Sequence, residues 1–202
     1  DIFGITPELG QLAQALGSSA TLVSPHTYTR TFRCEAEGYA AFMDNGGVAA
    51  YAAHLGSVLA GRQCRFELAL GFSAGASALW LCLADAALAP WLPGRAELYY
   101  GSRIRESAHL QPRRRALLTF AEKEASFDPV ELAGKLRQAG HAARVLPGSA
   151  HGFMNPRSTG YDEHRAAQEI TRLQALLEAG PFAPRKRKQG RAVRPAKGRR
   201  NY

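Results

Sequence analysis

Short apolar segments of the kind that form β-strands alternate with segments of helical spacing, and this alternation constrains the fold more than any other feature. The predicted strands cover residues 20–23, 65–70, 96–100, 116–120 and 142–146. Such alternation predicts an α/β fold with a mostly parallel sheet and helices on both faces. The chain has 202 residues, the size of one ordinary domain, and 46% of them are apolar, which is enough for a sizeable core.

Two amphipathic helices are predicted near the ends of the alternating region. The first begins at Thr6 and Pro7, a capping hydroxyl followed by proline at the first helical position. Its apolar face follows the spacing i, i+3, i+4, i+7. The residues of that face are Leu9, Leu12, Ala13 and Leu16. The second helix has a similar face, made of Ala166, Ile170, Leu173 and Leu177.

A basic segment, residues 181–202, follows the alternating region. It holds nine of the 26 Lys and Arg residues and no Asp or Glu, so the remaining 17 basic residues balance the 17 acidic ones. Few of its residues are apolar, and we expect it to be disordered. The sequence therefore predicts one folded domain, residues 1–180, and a basic tail, for which we favour a solvated segment with no dedicated partner. Contact with nucleic acid through charge, without sequence specificity, is the alternative.

Membrane spans, disulfides and zinc sites are not expected. No uninterrupted apolar stretch reaches about 18 residues. The cysteines are odd in number and form no CxxC pair. They are Cys34, Cys64 and Cys82. A cytoplasmic location is the simplest interpretation of this composition.

The pentapeptide Gly71-Phe72-Ser73-Ala74-Gly75 matches the pattern G-x-S-x-G. It follows a predicted strand and precedes an Ala/Leu-rich helical segment, residues 74–87, which is the context of a nucleophile elbow. In so sharp a turn, side chains two positions from the serine would collide with neighbouring backbone, and glycine removes the collision. Ser73 is the candidate nucleophile, at a helix N-terminus whose N–H groups suit an oxyanion. A glycine-lined turn with an incidental serine is the alternative.

A serine nucleophile needs a base, and in this architecture an acid and then a histidine follow the serine along the chain. The histidines after Ser73 are His109, His141, His151 and His164. His151 follows the last predicted strand and a turn at 147–150, at the sheet edge where the catalytic groups of open α/β sheets gather. We therefore predict His151 as the base.

Three acidic residues after the strand at 116–120 compete for the role of orienting His151. Asp128 precedes a proline and has a glutamate three residues later, so its structural role is to cap a helix. Glu124 lies in the loop directly after the strand and has no such duty. We favour Glu124, with Asp128 as the reserve and Glu122 as the weakest of the three.

Four segments together resemble the serine-bearing dienelactone hydrolases of the α/β-hydrolase superfamily. They are Asp1-Ile-Phe-Gly-Ile-Thr6, the elbow at 71–75, the strand and loop at 117–128, and His151-Gly-Phe-Met154. The elbow is common to many hydrolases, whereas an opening I-F-G together with a later H-G-F is more specific. The resemblance spans almost all of residues 1–180 and implies the α/β-hydrolase fold, which we expect here to lack its first strands.

The resemblance also implies roles around the nucleophile. The backbone N–H of Ile2 or Phe3 is expected to form the oxyanion hole with the N–H of Ala74. Phe3, Phe72 and Tyr100 are the candidate substrate-binding residues, although packing at a strand end is an equal alternative for Tyr100.

This sequence departs from the family pattern at several positions. The best-known members use cysteine where Ser73 stands, and a hydroxyl depends on its base more than a thiolate does. The acid is glutamate instead of aspartate, and the acidic residue before I-F-G appears as Asp1. The arginine that holds a substrate carboxylate in the family has no clear counterpart, because Arg157 is nearby but shifted. The resemblance therefore carries no expectation of dienelactone specificity.

The sequence as a whole predicts a hydrolase that cleaves a small carboxylic ester or lactone. Ser73 would attack the carbonyl, His151 would move the proton and Glu124 would orient His151, through an acyl-enzyme and without a metal or organic cofactor. The alternative is a catalytically inactive hydrolase-like scaffold whose basic tail binds nucleic acid or another anionic surface.

Overall fold

Four parallel strands form the sheet in the computed structural model of the chain, which describes residues 1–17, 19–26, 30–62 and 66–180. The strands lie side by side in chain order: β1 (Leu68–Phe72), β2 (Arg95–Tyr99), β3 (Arg115–Lys123) and β4 (Ala142–Ala150). The helices are α1 (Pro7–Ala15), α2 (Glu35–Asp44), α3 (Gly47–Ala60), α4 (Ala74–Ala84), α5 (Pro129–Gln138) and α6 (Glu163–Glu178), with a 3₁₀-helix at Ser102–Ser107. The predicted α/β class, with a parallel sheet flanked by helices, is confirmed.

Side-chain caps stand at the starts of α1 and α5. The Thr6 hydroxyl accepts a hydrogen bond from the N–H of Leu9 at 3.3 Å before α1. The Asp128 carboxylate accepts bonds from the N–H groups of Val130 at 2.8 Å and Glu131 at 3.0 Å before α5. Each cap satisfies donors that lack an intrahelical partner. Asp128 is therefore a helix cap, as its sequence position suggested.

Helices cover both faces of the sheet. Two hydrophobic clusters lie against the sheet. In one, α4 and α5 pack with Leu98 of β2, and in the other, α1 and α6 pack with Tyr99 of the same strand. Neighbouring residues of a strand point to opposite faces, so the two helix layers lie on opposite sides. A third cluster joins α2 and α3 to the loop of Ile2 and Phe3 and to the start of α4 at Ala74. This packing brings the first residues of the chain to the end of β1.

The predicted strand at 20–23 is wrong, because these residues form no ladder with any described strand. The carbonyl of Val23 accepts a hydrogen bond from the Tyr51 hydroxyl at 2.9 Å, and its side chain packs against the third cluster. An apolar segment becomes a strand only when a neighbouring strand completes its backbone hydrogen bonds. In the described part of the chain, no strand precedes β1.

A network of two buried glutamates and two partly exposed arginines lies between the sheet and α6. Arg172 of α6 bonds Glu97 of β2 at 2.6 Å and Glu169 of its own helix at 2.8 Å. Arg144 of β4 reaches the same Glu169 oxygen at 2.6 Å, and the Tyr99 hydroxyl donates to it at 2.9 Å. Burial raises the pKa of Glu169, but the bonds from Arg172 and the charge of Arg144 outweigh burial and leave that pKa lowered. The network fastens α6 to the strands beneath the elbow.

None of the helices in the described part of the chain combines the length and apolar character needed to cross a membrane. The described residues also hold no group of three or more His, Cys, Asp or Glu side chains arranged for a metal ion. The basic tail at 181–202 and Cys64 lie outside the described residues, so the predicted disorder of the tail and the domain boundary near residue 180 stay predictions.

Candidate active site

Ser73 stands at the turn between β1 and α4 with an unusual backbone conformation, φ 52° and ψ −116°. Its N–H donates to the carbonyl of Tyr99 on the neighbouring strand at 3.0 Å, which helps hold the turn in place. A positive φ in a residue other than glycine costs free energy and persists only where its surroundings enforce it. The sequence GFSAG therefore forms the sharp strand-to-helix turn that presents a serine side chain at a sheet edge.

The two glycines of the elbow differ in how tightly they are packed. A Cβ atom added to Gly71 would lie 2.6 Å from the Cα of Ala76. This clash is with the backbone, so it could be relieved only by a shift of the backbone. A Cβ atom added to Gly75 would lie 3.4 Å from the Tyr51 hydroxyl, which is an ordinary contact. The steric requirement for glycine therefore holds at Gly71 and not at Gly75.

His151 lies within hydrogen-bond distance of both Ser73 and Glu124. The Ser73 hydroxyl and the His151 Nε2 are 3.0 Å apart, and the His151 Nδ1 is 2.8 Å from a carboxylate oxygen of Glu124. Because a carboxylate only accepts, Nδ1 carries the proton and Nε2 is free to accept from the serine. The side chain of Glu124 is 2% exposed, so its charge acts on His151 with little solvent between them. The Ser73 hydroxyl, the His151 imidazole and the Glu124 carboxylate thus form one hydrogen-bonded row, an arrangement that suits a nucleophile, its base and an acid that orients the base.

The other acidic candidates are engaged elsewhere. Asp128 caps α5 through two backbone N–H groups, and Glu122 accepts a hydrogen bond from the N–H of Gly148 at 2.7 Å. Of the remaining histidines considered, His164 is exposed and pairs with Gln168 on α6. The structure thus brings together Ser73, His151 and Glu124, and leaves Asp128 and Glu122 apart from them.

Among the described residues, the backbone N–H groups of Phe3 and Ala74, which pack in one cluster beside Ser73, make no hydrogen bond. Ala74 is the first residue of α4, where an N–H has no intrahelical acceptor. The N–H of Ile2, the other donor considered, instead donates to the carboxylate of Asp1 at 2.6 Å. In this arrangement Phe3, and not Ile2, has the N–H that remains available in the opening loop.

Side chains that sequence reasoning missed hold the opening loop in place. The Nε2 of buried His26 donates to the carbonyl of Ile2 at 2.8 Å. The side-chain amide of Asn155, four residues after His151, donates to the carboxylate of Asp1 at 2.9 Å. These bonds join the loop to the segment that follows His151. Neither residue belongs to a motif that would identify it from the sequence.

A small cavity of about 40 Å³ lies beside the elbow. Its lining includes all three predicted substrate-binding residues, Phe3, Phe72 and Tyr100, together with Met154 and Asn155 from the segment after His151. The Tyr100 ring contacts the His151 ring edge-to-face, with centroids 5.0 Å apart. The buried Tyr100 hydroxyl is close to the backbone of Met154 but makes no well-formed hydrogen bond with any described residue.

A larger cavity of about 360 Å³ lies between α3 and α4, and its lining includes none of Ser73, Glu124 and His151. It is lined mostly by small side chains such as Ala52 and Ala53, and by Cys82. The Cys82 thiol donates to the carbonyl of Ala52 at 3.3 Å, and burial raises its pKa to about 12. A thiol with so high a pKa is a poor nucleophile. The smaller cavity is the one next to the candidate site, since its lining residue Phe72 precedes Ser73 in the chain and its lining residue Tyr100 contacts the His151 ring.

The solved structure of a candidate dienelactone hydrolase from Klebsiella pneumoniae subsp. pneumoniae MGH 78578 matches this chain with a TM-score of 0.65. The match covers 87% of this chain and 82% of that chain, at 21% sequence identity. The chain has a dienelactone hydrolase-like α/β-hydrolase fold. A serine, an acidic residue and a histidine stand in this order along the chain, since Ser73 follows β1, Glu124 follows β3 and His151 follows β4.

Other comparisons are more distant or less informative. YczH, an uncharacterised protein of Bacillus subtilis (strain 168), is 40% identical over 96 residues, which are 46% of this chain and 45% of YczH. The match thus spans less than half of that curated relative. A thermophilic esterase from Thermogutta terrifontis, solved with butyrate bound, matches with a TM-score of 0.37 and 21% identity over 58% of each chain, too low to bear on the fold. No protein-family model matches the chain.

Acidification is expected to destabilise the protein through His26. Burial lowers the pKa of His26, and the positive charge of Arg30 lowers it further, while the bond to Ile2 opposes the shift. A histidine with a lowered folded-state pKa stabilises the fold above its unfolded pKa of about 6.5, and this contribution is lost as pH falls through the folded pKa. Urea unfolding at pH 7.5 and pH 5 should therefore show a loss of stability in acid that is smaller in His26→Gln. An equal loss in both proteins would contradict this role.

Proposed function

We propose that this protein is a serine hydrolase that cleaves small carboxylic esters or lactones. The observation that carries the proposal is the continuous hydrogen-bonded chain from Ser73 through His151 to Glu124, with the serine on a strained elbow. A structural serine needs neither a base at 3.0 Å nor a buried carboxylate behind that base. The likeness of the fold to that of a candidate dienelactone hydrolase supports the same class of reaction.

In the proposed reaction the Ser73 hydroxyl attacks the ester carbonyl while His151 Nε2 accepts its proton. Glu124 holds His151 in the tautomer that can accept this proton, and its charge stabilises the imidazolium that forms. The N–H groups of Phe3 and Ala74 bind the oxyanion, each contributing about 3 kcal/mol to transition-state stabilisation in comparable sites. His151 then donates the proton to the leaving alcohol, which departs and leaves an ester of Ser73.

Hydrolysis of this ester completes the cycle. Water attacks the acyl group as His151 accepts one of its protons, the same oxyanion donors act again, and the carboxylic acid leaves as the proton returns to Ser73. All of these steps use side chains and backbone groups of the chain itself.

A partitioning experiment tests the acyl-enzyme. The protein is given 4-nitrophenyl butyrate and phenyl butyrate in buffer containing methanol, and butyric acid and methyl butyrate are quantified. Because both esters would form the same acyl-enzyme, both should give the same ratio of the two products. Different ratios for the two esters would indicate direct attack by water. No turnover of either ester would favour the inactive scaffold.

The basic tail supports a second, accessory proposal: it binds nucleic acid through charge alone. Its nine Lys and Arg residues carry the whole net charge of +9, since the other charged residues balance. Several phosphates neutralised at once give binding that weakens steeply with salt.

Removal of residues 181–202 is expected to weaken binding to double-stranded DNA by roughly tenfold or more at low salt, because the positive charge is lost. Ester hydrolysis should be unchanged. Fluorescence anisotropy with a labelled duplex at several salt concentrations measures the first effect, and the butyrate assay the second. Equal DNA binding by the shortened chain would dismiss the tail as a binding segment.

A further inference from the structure

The cavity beside the elbow carries negative but not positive side chains. Of the described residues that line it, Asp1 and Glu8 are acidic, and none is Lys or Arg. Most of the others are apolar. They include Phe3, Leu9, Leu12, Phe72, Met154 and Pro156. A group bound in this cavity therefore meets an apolar wall with carboxylates at its border.

Arg157 directly follows the lining residue Pro156 in the chain. Its guanidinium group forms hydrogen bonds to other parts of the protein. Its Nε donates to the Glu8 carboxylate at 2.9 Å, and its Nη1 donates to the carbonyl of Phe32 at 3.0 Å. The side chain is 19% exposed. The hydrogen bond from Arg157 lowers the pKa of Glu8, so this carboxylate is ionised at neutral pH. Glu8 thus neutralises the charge that could otherwise attract an anion.

Asp1 adds a negative charge that no basic side chain balances. Its carboxylate accepts hydrogen bonds from the N–H of Ile2 at 2.6 Å and the amide of Asn155 at 2.9 Å, both of them neutral donors. No Lys or Arg in the described part of the chain forms an ion pair with it. The side chains at the border of the cavity therefore carry a net negative charge. This charge would repel a carboxylate of a bound substrate at close range.

From this charge arrangement we infer that the site prefers substrates with a short, uncharged acyl chain and disfavours acyl chains that end in a carboxylate. Glu8 is the residue that sets this preference, because it neutralises Arg157. The cavity is small, about 40 Å³, which suits a short chain. This inference rests on the proposed function and names the substrate class of the same site.

The test compares two esters that differ only at the end of the acyl chain. In 4-nitrophenyl pentanoate the chain ends in a methyl group, and in mono-4-nitrophenyl glutarate it ends in a carboxylate. We expect kcat/KM at pH 7, corrected for uncatalysed hydrolysis, to favour the pentanoate by about tenfold or more, from the repulsion between like charges at a partly solvated site. Equal or better turnover of the glutarate would overturn the inference.

Variants of the ion pair assign the preference to Glu8. In Glu8→Gln the charge of Arg157 is no longer neutralised, so the preference for the pentanoate should fall by about tenfold, whereas Arg157→Gln should strengthen it. Glu131→Gln is the matched control, since Glu131 also lies in the first turn of a helix and pairs with a cation, Lys135, far along the chain from the cavity. A Glu8→Gln preference no different from that of Glu131→Gln would also overturn the inference.

Failure of the proposed function gives a different result from failure of this inference. If neither ester is hydrolysed by the folded protein, the proposed hydrolase function is wrong and the inference about its substrates falls with it. If both are hydrolysed without the expected preference, the hydrolase function stands and only the inference is wrong.

Discussion

Replacement of Ser73 by alanine is expected to lower the kcat for ester hydrolysis by about four orders of magnitude or more, the scale seen when a triad serine is removed. The reason is that, among the described residues, Ser73 has the only hydroxyl bonded to Nε2 of His151, so the imidazole would be left with only water to activate. The fold should be nearly unaffected, because the bond that holds the elbow is made by the backbone N–H of Ser73 and not by its hydroxyl.

The assay is hydrolysis of 4-nitrophenyl butyrate, with far-UV circular dichroism and the unfolding midpoint as checks on folding. Ser57→Ala is the control, since it removes a helical serine hydroxyl whose only described bond is to the carbonyl of Ala53 in its own helix. The control should retain full activity. A folded Ser73→Ala protein with undiminished turnover would contradict the assignment of the nucleophile.

Replacement of Arg172 by methionine is expected to lower the free energy of unfolding by about 2–3 kcal/mol. Removing one partner of a buried ion pair leaves the other charge uncompensated, at a cost of about 3–5 kcal/mol when both are fully buried. Glu97 is fully buried, but Arg172 is 28% exposed, so we take a lower value. Among the described residues, Arg95 alone would then still pair with Glu97, and the side chain of Arg95 is 41% exposed.

Urea unfolding at neutral pH measures this effect, and Lys135→Met is the matched control. Lys135 pairs with Glu131 on the surface of α5, with side chains 66% and 61% exposed, so its loss should cost less than about 1 kcal/mol. Similar losses in the two variants would mean that the network beneath the elbow contributes no more than a surface ion pair. In Arg172→Met we also expect weaker anchoring of Tyr99, whose carbonyl holds the Ser73 N–H.

The strands of the sheet were predictable where apolar segments are continuous and end at turn residues. The segments at 96–100, 116–120 and 142–146 became β2, β3 and β4, with ends shifted by a few residues. The segment at 20–23 has the same composition but no strand to pair with, and sequence pattern does not report pairing. Helices α2 and α3 were missed because Ala and Gly are frequent in them and give only a faint apolar stripe.

The candidate site was predictable to the extent that its residues follow strands. A serine, a glutamate and a histidine placed directly after parallel strands reach the same sheet edge, so chain position alone brought Ser73, Glu124 and His151 together. Residues that hold the opening loop act through long-range contacts that no spacing encodes. His26 and Asn155 are of this kind, as is the ion pair of Glu8 with Arg157.

The most direct test of the account is labelling by a fluorophosphonate probe, with peptide mapping by mass spectrometry to locate the adduct. The probe reacts with a serine whose hydroxyl is activated by a base. We expect one adduct, at Ser73, that is lost in His151→Ala and retained in His164→Ala, a control that removes an exposed histidine of α6. A folded wild-type protein that takes no label, or a Ser73 adduct that forms equally well without His151, would contradict the central claim.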